Sequence, residues 1–138
     1  MAVMVNALSD LKNGLTIRAA GLVAADTANT GVFVGRGFYL ARLTWTACEI
    51  ATGDEVYFVQ LQTNTAAATS TWLDGFRLAY GNAALTGGAA ATAATGEHVF
   101  GFWNPYDQDV RTYDWVTGTI ATGFNYSLEF SPVETVAY

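Results

Sequence analysis

Charge is scarce in this chain: only 13% of its 138 residues are Asp, Glu, Lys or Arg, about half the usual share. Lysine is almost missing, with Lys12 alone, and six basic residues against twelve acidic ones leave a net charge of −6. A phosphate backbone would find little to hold, so nucleic acid is excluded as a partner. An anionic membrane surface is disfavoured for the same reason. Cysteine is reduced to Cys48, which rules out an intrachain disulfide or a thiolate metal cluster. Histidine is reduced to His98. No apolar run approaches the ~20 residues that span a bilayer. Residues 1–14 carry no basic segment ahead of Lys12, so no signal peptide is expected and synthesis in the cytoplasm is. Helix signals are weak. The Ala-rich segment 83–95 is interrupted by Gly87, Gly88 and repeated Thr, with no apolar stripe at helical spacing. It reads as a long loop.

What the chain does have is apolar and aromatic: 51% hydrophobic residues, with four Trp, eight Phe and seven Tyr. They fall at period two. In 123–131, Phe124, Tyr126, Leu128 and Phe130 alternate with Asn125, Ser127, Glu129 and Ser131. A one-residue slip would bury Glu129 and expose four large side chains, so the register is well specified. Residues 37–50 set Tyr39, Ala41, Leu43 and Trp45 on one face. Residues 55–63 do the same with Tyr57, Val59 and Leu61. Weaker strands are expected at 14–20, 31–35, 72–79, 97–103 and 110–117, with Gly53, Gly75, Gly81, Gly96, Gly118 and Gly123 at or near junctions. The expected fold is therefore all-β, an eight-stranded antiparallel β-sandwich, with a jelly roll as the commonest arrangement of eight strands. One body spans 14–132, flanked by an N-terminal arm, 1–13, and a C-terminal tail, 133–138.

Catalytic parts are few. His98 shares a strand face with Phe100 and Phe102 and reads as a structural histidine; Cys48 has no second histidine to form a dyad. Zinc spacing is absent. Asp107 and Asp109 lie in a loop without the pattern of a calcium-binding loop. Together with Trp103 and Tyr106 they supply the aromatic-plus-carboxylate mixture of a sugar site, which makes a carbohydrate-binding module of a virion surface or tail the alternative reading. The main reading is a non-enzymatic module without cofactor or metal. Aromatic anchors and a small, neutral Ala/Gly/Thr surface suit contacts with other protein. Candidate contacts are Val3, Val5 and Leu8, which would let the arm add to a partner's edge strand, and Trp103, Tyr106 and Tyr138.

Four segments taken in order carry a resemblance. They are Tyr57–Asn64 with its Leu-Gln element, Leu78–Ala83 with Gly-Asn-Ala, Phe102-Trp103-Asn104, and the closing strand Gly123–Pro132. The set resembles the jelly-roll capsid cement, or decoration, proteins of tailed bacteriophages across residues 14–132. Asp114 stands where related chains carry an apolar group. The resemblance implies a structural protein on the outer surface of the virion head that binds the major capsid protein and itself, as a dimer or trimer. It would cement neighbouring capsid subunits and stabilise the expanded lattice by binding it alone.

Overall fold

A computed structural model describes residues 15–50, 53–64, 71–81, 95–105 and 107–133, with backbone alone for 2–4 and 135–137. Among the described residues there is no helix, and every strand pairing is antiparallel. The strands are β1 (Ala2–Met4), β2 (Leu15–Val23), β3 (Thr27–Ala28), β4 (Val32–Val34), β5 (Gly37–Cys48), β6 (Val56–Asn64), β7 (Trp72–Gly81), β8 (Gly96–Asn104), β9 (Gln108–Thr117), β10 (Phe124–Pro132) and β11 (Thr135–Ala137). One sheet runs β2-β10-β5-β8. The other runs β3-β9-β6-β7, with β4 also on β9. The chain is an all-β sandwich of these two sheets, and β1 pairs with β11 in a separate ribbon.

The alternation read from the sequence places the core. Phe124, Tyr126, Leu128 and Phe130 of β10 are all buried, facing Tyr57, Val59 and Leu61 of β6 and flanked by Ala41, Leu43 and Trp45 of β5. Aromatic rings fill the space between the sheets. Phe124 stacks at 5.3 Å on Tyr57, 5.2 Å on Tyr80 and 5.4 Å on Tyr126, geometry that adds to the area they bury.

The strand count differs from the expected eight: the two sheets hold nine. The segment expected as one strand at 31–35 is β4, and a further short strand, β3, precedes it on the same edge of β9. The interruption has a local cause. Asn29 donates its backbone N–H to the Thr112 carbonyl at 3.0 Å. Its side-chain amide reaches Asp114 Oδ2 at 2.7 Å and Thr112 Oγ1 at 2.8 Å. Asn29 thus extends the β3 pairing by one residue, and the register then slips by one before Val32 meets Val110, an extra residue of the kind that disrupts a ladder locally.

Asp114 itself lies inside β9, fully buried. Tyr126 donates its hydroxyl to Asp114 Oδ1, and Arg18 Nε stands 3.4 Å from Oδ2. Arg18 also donates to the backbone carbonyls of Tyr126, Gly21 and Ala19 and lays its guanidinium 4.0 Å from the Tyr126 ring centroid. A buried carboxylate is tolerated when its lone pairs and charge are met this fully. Asp114 therefore continues the strand.

Candidate functional site

Strand register fixes two opposite ends of the sandwich. At one end β2 begins and β10 finishes (Leu15 opposite Phe130, Pro132 opposite Tyr39). The same end holds the short 34–37 and 104–108 connections and the meeting of β6 with β7 (Asn64 opposite Trp72). At the other end lie the 23–27, 48–56 and 117–124 connections.

Alternation breaks down at the first end. Among the described residues eight large hydrophobic side chains are exposed, and five lie toward this end: Phe38 and Trp103 on the outer face of the four-stranded sheet, Phe33 on the outer face of the other sheet, and Leu15 and Leu73 at the starts of β2 and β7. Trp103 is 54% exposed and sits directly across the ladder from Phe38, itself 42% exposed. Between them β8 carries Gly101, whose missing side chain leaves room for the Phe38 ring: a Cβ there would lie 2.6 Å from its tip. Phe38 thus lies flat across β8, and Val99 continues the apolar strip along the same face. The turn beneath is firm. Asp107 accepts the Arg36 N–H at 2.7 Å, Asn104 donates to the carbonyls of Val34 and Gly35 at 3.0 Å, and Tyr39 donates to Gly35 O at 2.7 Å. Burial, then the charge of Asp107, raises the Tyr39 phenol above its usual range, so it stays a donor.

Carboxylates collect at the opposite end. Glu49 accepts the N–H groups of Ala121, Thr122 and Gly123, which hold its carboxyl below the usual range. Asp54 accepts from the amide and hydroxyl of Thr119, Glu55 from the Gly53 amide, and Asp26 from the Val116 amide. The carboxylates of this end are thus largely engaged by turn amides, whereas Asp107 and Arg36 stand beside the exposed aromatics of the first end.

Of the contact residues read from the sequence, Trp103 lies at the apolar end. The backbone of Val3 pairs with Val136 of the same chain. Val5, Leu8, Tyr106 and Tyr138 lie outside the described residues, as does nearly all of the Ala-rich segment. Phe38 and Phe33 were missed. Phe38 belongs to the face of β5 that the alternation assigns outward, and its size was the only available signal. The sugar-site set is not brought together: Asp107 is engaged by the Arg36 amide, and Trp103 and Asp109 belong to different sheets.

Reactive groups are quiet. The Cys48 thiol is pushed up to about 11 by burial and then by Glu55, far from the thiolate that nucleophilic chemistry needs. His98 shares a 3.0 Å hydrogen bond with the Tyr80 hydroxyl, joining β7 to β8. No group of three or more His, Cys, Asp or Glu among the described residues is placed to hold a metal ion, and no helix there is long and apolar enough to cross a membrane. Comparison with known proteins adds nothing further: no family model, curated protein or solved structure matches the chain.

Proposed function

We propose that this chain is a non-enzymatic jelly-roll cement, or decoration, protein that binds the outer surface of a tailed-phage head and bridges neighbouring major capsid subunits. The observation that carries the reading is the exposed apolar strip of Phe38, Trp103 and Val99 on the outer face of the four-stranded sheet. An exposed apolar patch of this kind marks a protein contact, with large aromatic side chains as its anchors. The acidic end would face solvent and keep decorated particles apart.

Strand pairing supports the jelly-roll part. With β3 and β4 read as one interrupted strand, the body has eight strands in sequence order. The first pairs with the eighth, the second with the seventh, the third with the sixth and the fourth with the fifth. That is the pattern of one long hairpin rolled into two sheets. A ligand that recognises only the expanded lattice stabilises it by its binding free energy, and many copies binding in parallel raise the effective affinity. Self-association as a dimer or trimer belongs to the same proposal.

Sedimentation with purified heads tests it. Native protein should co-sediment with expanded heads and not with unassembled capsid subunit. A Phe38→Ser/Trp103→Ser variant should lose at least about 2 kcal/mol of binding, the scale of a hot-spot pair, while melting as the native protein does. Binding to unassembled subunit alone, or full binding by the variant, would overturn the proposal.

A further inference from the structure

The outer face of the five-stranded sheet is built unlike the apolar end. Four aromatic side chains point outward there: Phe58 on β6, Trp72 on β7, and Tyr113 and Trp115 on β9. Phe58 and Trp115 stack at 4.8 Å with 19° between their planes, and Tyr113 adds to them at 6.2 Å. Arg77 lies over both rings, 5.2 Å from Phe58 and 5.3 Å from Trp115. Further along the face Arg111 lies 4.1 Å from the centroid of Trp72. Its Nε donates to Gln62 Oε1 at 2.8 Å, and Gln62 Nε2 donates in turn to Asp74 Oδ1 at 2.8 Å.

The result is a fixed row, Trp72–Arg111–Gln62–Asp74, beside a second cluster, Arg77–Phe58–Trp115–Tyr113. Phe58 and Gln62 are separated by about 13 Å along β6, from strand rise alone. That is room for more than one sugar ring. Guanidinium groups resting on rings lose little further freedom when they bind. Among the described residues neither Arg77 nor Asp109 makes a side-chain hydrogen bond or ion pair with another side chain.

We infer that this face binds a neutral, hydroxyl-rich oligosaccharide. Charge selects the ligand class. Arg77 and Arg111 are balanced by Asp74 and Asp109 on the same face, so no net field favours an anion. Vicinal hydroxyls are at once donors and acceptors, and they need planar groups of both kinds held side by side, as Arg111, Gln62 and Asp74 are. The half-buried rings of Trp72, Tyr113 and Trp115 offer apolar surface to the apolar faces of sugar rings. An acidic glycan or peptide would call for donors alone, and this balanced face gives it no net attraction. The site reaches the first end through Trp72 and Asp109 but lies on the opposite sheet from Phe38 and Trp103, so the protein could anchor on a head by one sheet and touch a glycan-coated cell with the other.

The test is an array of neutral gluco-, galacto- and N-acetylglucosamine oligosaccharides together with sialylated and uronic-acid glycans. The strongest neutral binder is then titrated by tryptophan fluorescence. Signal should fall on neutral oligosaccharides. Affinity should drop about ten-fold or more in Arg77→Ala, an exposed position where folding is not at stake, and again in Arg111→Ala. The Phe38→Ser/Trp103→Ser variant should bind the glycan as the native protein does, which separates this inference from head binding. A blank array with folded native protein, signal confined to acidic glycans, or unchanged affinity in Arg77→Ala would overturn it.

Discussion

Phe130 is fully buried, with its ring 5.0 Å from Phe102 and 5.7 Å from Tyr39. Truncation to alanine should cost about 3–5 kcal/mol, the range for a large aromatic lost from a packed core. Urea denaturation reads it, and an unchanged midpoint would mean that this face is not core. Glu49 gives a pH-dependent counterpart. Three backbone N–H groups favour its charged form, so its folded pKa lies below the unfolded one. The stability it contributes is therefore present above the ordinary glutamate value of about 4.3 and disappears as pH falls through the folded value. Glu49→Gln should be less stable than native protein near neutrality, and the gap should close on acidification. A gap that stays constant from neutral to strongly acidic pH would contradict the assignment. The period-two pattern made Phe130 legible. Nothing local marked Glu49, because its partners lie more than seventy residues away.

Strands and turns show the same division. The β10 segment was readable because its alternation is strict and one slip would bury Glu129. The break between β3 and β4 was not, since it is a one-residue slip in pairing with β9, a strand some eighty residues away. Turn glycines can be ranked only with the structure. Gly118 has φ +89°, and a Cβ there would meet the Asp54 carbonyl oxygen at 2.2 Å; Gly53 has φ +81° with open space around it. Both substitutions to alanine carry the left-handed penalty of about 1–2 kcal/mol. Gly118→Ala should exceed Gly53→Ala because its turn must also move, and thermal melts of the pair measure the difference. Equal melts would place Gly118 in a looser turn than the one described.

Across the whole molecule the decisive feature is the exposed strip of Phe38, Trp103 and Val99 on the outer face of the four-stranded sheet. Contacts made by Phe38, Trp103 and Val99 would be nearly insensitive to salt, because screening acts on charges and not on apolar burial. Head binding measured between low and high salt should therefore change little. A steep fall with added salt would shift the contact to charged groups and away from this strip. Low charge and high aromatic content are properties of composition alone. The sequence could not place these side chains together, since Trp103 stands beside Phe38 only when β5 and β8, more than fifty residues apart, pair.

Side-chain alternation is a property of consecutive residues, and so the sequence by itself determined the all-β class, most strand positions and the face of β10 that forms the core. Partnerships between distant residues belong to the tertiary structure: the Arg18–Asp114–Tyr126 cluster, the split of one strand into β3 and β4, and the assembly of Trp72, Arg111, Gln62 and Asp74 on one face. The physical reason is range. Burial pattern is set within a few residues, whereas a buried charge or a binding surface is completed only by strands that chain topology brings together.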